Sequence, residues 1–236
     1  MITYRHLGRA GRLGNQLWEI AGTIAIANRK GDQAGFPFWR YAEYFRIPNN
    51  YFPALSGLEL AGIDAEDVGR DLLQDINYLS GIEERIRDFF GPRSNIESIL
   101  RRRYAEFYAL PHKTAITVRR GDYLLIPELI PALPLDYYHE AMEIQDPPYV
   151  VFSDDIDWCE QHFPPDCLFM RYNRDYEDLF LIAACDRHIV ANSSFAWWGA
   201  WLSEHESDAV YPKRWYGRAV THIDTSVLYP AGATVI

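Results

Sequence analysis

The sequence predicts an α/β protein made of two compact lobes. Short apolar runs alternate with amphipathic segments along the 236 residues, a glycine-rich turn follows the first run, and the second half repeats a strand and helix rhythm. A first strand is expected at residues 2–6, and the helical spacing that follows the turn predicts a helix at 15–30. Residues 34–36 read as a second short strand, followed by an aromatic-dense stretch at 36–53. The apolar residues of 72–76 suggest a third strand, and helical patterns occupy 82–90 and 96–108. Leu110-Pro111-His112 reads as a break, because proline disfavours helix in the residue before it. The lobes are therefore drawn as 1–110 and 111–236. In the second, strands are expected at 114–119, 149–152, 167–170 and 188–191, with helices at 136–144, 156–162, 177–185 and 195–203. That alternation describes a doubly wound, Rossmann-like unit.

Composition narrows the function classes. At 48% hydrophobic and 15% aromatic residues the chain is able to bury a core, which excludes a disordered tail. A net charge of -10 and a pI near 5.1 argue against general binding of nucleic acid or of membrane surfaces. An acidic protein that handles an anion must concentrate positive charge locally. Cys159, Cys167 and Cys185 form no CxxC and no zinc spacing, which suits a reducing compartment. With no signal-like N-terminus and no integral membrane segment in sight, the expected location is cytoplasmic.

Four segments carry candidate chemistry. GRAGRLGNQ (8–16) places Gly8, Gly11 and Gly14 before a helix, where free backbone N–H groups favour an anion; Asn15 is equally a plain N-cap. The spacing misses the dinucleotide fingerprint, although Asp32 stands where a ribose-binding acid could. ITVRRGDY (116–123) ends an apolar strand on Arg119. At the carboxyl edge of an open sheet its planar fork can clamp a diphosphate, with Arg120 or Asp122 in structural roles. VVFSDDIDW (150–158) offers acids to a ribose or a base. Asp155 and Asp157 also match a loose metal-binding D-x-D, with helix capping an equal reading for Asp155. In HIVANSSFAWWGAWL (188–202) the polar residues Asn192, Ser193 and Ser194 suit a cap or a phosphate, while the tryptophans are expected in the core.

Taken in order, GRLGNQ, VRRGDY, PLDYY (134–138), FSDDIDWC (152–159) and NSSFAWWGAWL (192–202) resemble the α-1,2-fucosyltransferases of glycosyltransferase family 11. LLQDINYLSGIEERIRDFF (72–90) is similar to a weaker segment of that family. The resemblance implies a GT-B-like fold, two facing Rossmann-like lobes with the donor site in the cleft. It also implies a GDP-fucose donor, a glycan acceptor, inversion at the anomeric carbon, and no metal or other cofactor. Carried over, Arg119 lies on the donor phosphates, while Arg12, Gly14, Asn15 and Gln16 close the site from the first lobe. Ser193, Ser194 and Phe195 hold phosphate or base, and Asp154 lies near the nucleotide. Asp122 and Glu128 are the candidate bases for the acceptor hydroxyl.

Three departures stand out. Thr117 occupies the position where the family usually carries histidine, the first half is short, and the aromatic stretch at 36–53 differs from the common enzyme. The competing readings are a metal-dependent glycosyltransferase using Asp155 and Asp157, an NAD-binding oxidoreductase using the glycine turn and Asp32, and a glycan-binding protein stacking sugars on the aromatic stretch.

Overall fold

The computed structural model describes residues 1–9, 11–52, 66–68, 72–205 and 208–236. Ala10 of the glycine turn and Pro53 of the aromatic stretch lie outside the described residues. The chain divides into two units, Met1–Ser98 and Ile99–Ile236. The expected boundary at 110/111 lies beyond that division. Both units are α/β with parallel sheets, as expected.

In the first unit, β1 (Ile2–Thr3) pairs in parallel with β2 (Ala34–Gly35) on one side and β3 (Glu66–Asp67) on the other. Helix α1 (Leu13–Arg29) crosses between β1 and β2 and is buried along most of its length, including Leu13, Leu17, Ile20 and Ile24. It ends on a left-handed Gly31 (φ +64°), with Gly31 N–H bonded to Asn28 O and Asp32 N–H to Ala27 O, a pattern that satisfies the last carbonyls. The helix begins at Leu13 with Arg12 at the N-cap, so Asn15 sits within the first turn and is not the cap. The aromatic stretch is largely core. Phe36, Trp39, Tyr41 and Phe45 are buried, and Trp39 stacks on Phe52 at 5.7 Å between centroids. Those rings stabilise the unit and are not open faces for stacking sugars.

Two expectations are corrected, one in this unit and one across the division. Residues 72–75 form no strand. They run irregularly into a 3-10 turn at Ile76–Leu79, started by Asp75, whose carboxylate accepts from Asn77 N–H at 2.8 Å. The third strand is β3, two exposed acidic residues with no apolar pattern to announce them. Helix α2 (Glu83–Phe90) follows as expected. The single helix expected at 96–108 is instead two, α3 (Ser94–Arg103) and α4 (Ala105–Ala109), interrupted at Tyr104. The Tyr104 hydroxyl is held by Asn173 and Glu177, contacts that no local pattern encodes.

Among its described residues the second unit carries six parallel strands, in the order β6-β5-β4-β7-β8-β9. They are β4 (Thr114–Val118), β5 (Tyr149–Ser153), β6 (Leu168–Phe169), β7 (Arg187–Ile189), β8 (Ala209–Tyr211) and β9 (Thr234–Val235). Four were expected; β8 and β9 were not. Helices α5 (Leu135–Ile144), α6 (Ile156–His162), α7 (Asp175–Ala183) and α8 (Ser194–Trp201) connect them. Strand β4, buried at every residue, starts the sheet. The chain builds outward to β6, then returns to place β7 on the other side of β4. The direction of winding therefore reverses between β4 and β7, and ligands of open α/β sheets bind at the carboxyl edge of that point. Helices α7 and α8 pack closely. A Cβ on Gly199 would lie 2.4 Å from Ile182, and Trp197, Trp198 and Trp201 are buried.

Candidate functional site

The reversal point brings two loops together in the second unit, the one leaving β4 and the one leaving β7. Within the first, Arg119 follows immediately on the buried strand and is held on two sides. Its guanidinium donates to Asp122 Oδ1 at 2.7 Å and to Asp154 Oδ2 at 2.9 Å, and it lies over the Tyr123 ring at 5.1 Å. Two carboxylates and a ring fix the orientation of the fork, which costs entropy once, during folding, rather than at ligand binding. Arg119 Nε is buried with no protein partner, a donor without an acceptor in this cluster. Gly121 permits the arrangement, since a Cβ there would lie 2.7 Å from Asp154 Oδ2.

Asp154 uses its other oxygen to accept from Arg120 N–H at 2.9 Å, so one carboxylate from the end of β5 organises both arginines. The Arg120 side chain turns away to Asp155 at 3.1 Å and stacks 3.9 Å over Trp158. Asp155 also caps α6 by accepting from Trp158 N–H, and Asp157 pairs with Arg171 at 2.9 Å. These contacts give the D-x-D pair structural roles. Asp32 is likewise occupied, by the Met1 amine at 2.8 Å and by Gln33 N–H at 2.7 Å.

On the other side of the reversal, Thr117 Oγ1 donates to Ile189 O at 3.0 Å and accepts from Ala191 N–H at 2.8 Å. Thr117 thus stitches β4 to the end of β7. Asn192 is buried and donates through Nδ2 to Pro131 O and Trp215 O, while the Tyr123 hydroxyl donates to Asn192 O at 3.2 Å. Burial pushes the Tyr123 hydroxyl above the usual tyrosine range, and nearby Arg119 opposes that shift, so the group stays a neutral donor. Ser193 caps α8 by accepting from Phe195 N–H at 3.3 Å; Ser194 and Phe195 are half-buried, Phe195 against the core under Leu181 and Ile182. No acid occupies the first turn of α8, which leaves its positive end uncompensated.

Glu128 is exposed on the far part of the β4 loop, and its carboxylate enters no ion pair among the described residues. Its backbone is fixed nevertheless, since Glu128 O accepts from Ala219 N–H at 2.8 Å and a Cβ on Gly217 would lie 2.3 Å from it. The structure therefore joins Arg119, Asp122 and Asp154 directly, and reaches Ser193 through Tyr123 and Asn192. Thr117 and Tyr123 both lie inside the motif without an assigned task; alternation along β4 signals Thr117, and no strand pattern reaches Tyr123 in the 3-10 turn Asp122–Leu125.

The first unit presents a separate arrangement. Gly8 (φ +75°) and Gly11 (φ +73°) are left-handed, and a Cβ on Gly11 would lie 2.5 Å from Asn15 Nδ2. Gln16 is buried, donates to Gly11 O at 3.1 Å and accepts from the Trp39 indole at 2.9 Å, which ties the turn to the aromatic cluster. Asn15 Oδ1 accepts from Gln74 at 3.1 Å, Gly14 is buried, and Arg12 is exposed at the start of α1. That first turn too carries no acid.

Comparison with known proteins bears on these observations. The sequence profile described as glycosyl transferase family 11 matches residues 73–227, more than half of the chain. The O-antigen biosynthesis glycosyltransferase WbnK of Escherichia coli is 37% identical over 117 residues, covering 44% of this chain and 39% of that protein. An alpha-1,2-colitosyltransferase of Escherichia coli is 28% identical, covering 61% and 54%. Galactoside alpha-(1,2)-fucosyltransferase 1 of Saimiri sciureus is 27% identical, covering 85% and 65%. The chain thus spans between 39% and 65% of the length of these relatives. Among solved structures, NodZ alpha-1,6-fucosyltransferase co-crystallized with GDP aligns at a TM-score of 0.50 with 15% identity, over 86% of this chain and 90% of that one. POFUT1 in complex with GDP aligns at 0.53 with 13% identity, over 86% and 95%. These likenesses bear on the fold and support the GT-B class.

Proposed function

We propose, from the premise that this chain belongs to glycosyl transferase family 11, that it moves L-fucose from GDP-fucose to a glycan hydroxyl, forming an α-1,2 linkage to a galactoside. The observation that carries the reading is the Arg119 cluster at the winding reversal, which lies within the residues the family profile matches. Attack by the acceptor hydroxyl on the face opposite GDP inverts the anomeric carbon through an oxocarbenium-like transition state. Negative charge grows on the departing diphosphate. Arg119 meets it from a fixed position, together with the backbone N–H groups at the start of α8. The assignment of Arg12, Gly14, Asn15 and Gln16 to the donor rests on the resemblance and on the exposed positive start of α1.

Of the two candidate bases, Asp122 is committed to Arg119, which makes it a positioning residue. Glu128 is the remaining group able to accept the acceptor proton, and we assign it that role. With arginine and N–H groups facing the diphosphate, the reading needs no metal. A relative named for colitose supports a second donor within the same chemistry, a colitosyl nucleotide. Incubation with a panel of nucleotide sugars, with and without a galactoside and with EDTA, tests both. The expected result is acceptor-dependent GDP release from GDP-fucose that EDTA leaves unchanged. Preference for a colitosyl donor would select the second reading, and no turnover of either sugar would end both. Among the described residues no helix is long and apolar enough to cross a membrane.

A further inference from the structure

We propose that Tyr172 is the stacking platform for the nucleobase of the donor. The inference rests on the donor reading above and adds to it the base-binding residue. Tyr172 is 90% exposed, and its backbone is left-handed at φ +61°. A bulky residue held in that region is strained. Its neighbours, by contrast, are all fastened. Met170 N–H donates to Val151 O at 2.9 Å, and the Arg171 fork is spread over Glu160 at 3.0 Å and Asp157 at 2.9 Å. Asn173 accepts from the Tyr104 hydroxyl at 2.9 Å and donates to Asp178 at 2.7 Å, and Arg174 N–H donates to Glu177 at 2.8 Å. A clamped loop therefore presents one aromatic ring to solvent.

The ring also stands at the right edge of the sheet. Strands β5 and β6 pair with Val151 opposite Phe169, and Tyr172 lies three residues beyond the carboxyl end of β6, on the same edge of the sheet from which Asp154 leaves β5. Asp154 in turn holds Arg119 at the end of the adjacent β4. The strands that lead to Tyr172 and Arg119, β6 and β4, are two spacings apart in the sheet, about 10 Å. A nucleoside diphosphate anchored by its phosphates on Arg119 spans that interval along the carboxyl edge. In the opposite direction lies a cavity of about 570 Å³ lined by Asp136, Tyr137, Glu140 and Trp215. Two of its rings are poorer platforms, because Trp215 is 4% exposed and the Tyr137 hydroxyl is buried on Val190 O and Val210 O, and the third, Tyr216, is half-buried against 90% exposure for Tyr172. Any base has a π-face, so an open tyrosine on a clamped loop contributes affinity whichever purine is carried.

Titration of GDP and of inorganic pyrophosphate, the latter lacking a base, tests the assignment on the full chain. Tyr172→Ala should weaken GDP by about five- to a hundredfold, the range for losing one base-stacking ring, and change pyrophosphate less than twofold. Tyr172→Phe should keep GDP affinity. Tyr172→Gly should weaken GDP while raising Tm, because glycine relieves the left-handed strain. Wild-type protein that fails to bind GDP would overturn the donor reading and the inference with it. Wild-type binding that is unchanged in Tyr172→Ala would overturn the inference alone. So would equal losses for GDP and pyrophosphate, or an effect confined to the KM of the glycan acceptor.

Discussion

The turn after β1 and the loop after β4 both leave a buried parallel strand, yet they are held by different means. In the first unit the backbone does the work: two left-handed glycines set the turn, and Gln16 and Trp39 hold it against an aromatic cluster. Arg12 remains exposed there. In the second unit side-chain charge does it. Arg119 is fixed between Asp122 and Asp154, and glycine is needed at 121 only so that Asp154 can come close. The contrast teaches how an acidic chain orients one arginine at a strand end, by gripping its guanidinium between two carboxylates. A guanidinium kept partly buried by two carboxylates stays oriented, and its Nε–H is buried without a protein acceptor.

The comparison breaks most directly at Arg119. Arg119→Ala should lower turnover of GDP-fucose by about a hundredfold or more, the scale for losing a donor aimed at developing transition-state charge. Near-normal turnover in steady-state assays would remove Arg119 from the mechanism. A smaller effect sharpens the role of preorganisation. Gly121→Ala pushes Asp154 away without touching any charge, and misplacing the Arg119 fork should cost about tenfold in kcat with the fold intact by circular dichroism. Unchanged kcat would mean that Asp154 does not orient Arg119.

The smallest effect belongs to the first unit. Glu19 of α1 is buried, with neither carboxylate oxygen in a hydrogen bond of good geometry, and burial raises its pKa from 4.5 to about 7 against a lowering contribution from Tyr4. The folded state then holds this proton more tightly than the unfolded state does. Its stabilisation is complete below pH 4.5 and is lost as pH rises through about 7. Glu19→Gln keeps the shape and removes the titration, so Tm should rise by a few degrees at pH 8 and no longer fall between pH 4.5 and 7. The same downward slope in wild type and variant would place that pH dependence elsewhere.

Much of the fold was legible because its signals are local. Strand β4 is an unbroken run of β-branched residues and alanine, α1 carries its apolar spacing and its terminal glycine, and α6 shows its aspartate cap. The misses have physical causes as well. Strand β3 is a pair of exposed acids whose side chains meet Lys30 and the Arg5 N–H, so no apolar pattern marks it in the sequence. Residues 72–75 are apolar enough to mimic a strand, but Asp75 starts a 3-10 turn immediately afterwards. Helix propensity runs through Tyr104, and only its hydroxyl bonds to Asn173 and Glu177 accompany the break. For the site, the motif identified Arg119 and Asp122, whereas the contacts of Asp154, Asp155 and Asp157 could not be told apart from their spacing.

Sequence by itself determined the α/β class, the family and the arginine at the end of β4, because periodicity, glycine placement and motif order are properties of neighbouring residues. Tertiary structure alone decided that β7 lies beside β4, that Asp154 grips Arg119, and that Tyr172 is left projecting from a fastened loop. Strand order follows from which faces must be buried together, and that is settled only when segments distant in the chain compete to cover the same core.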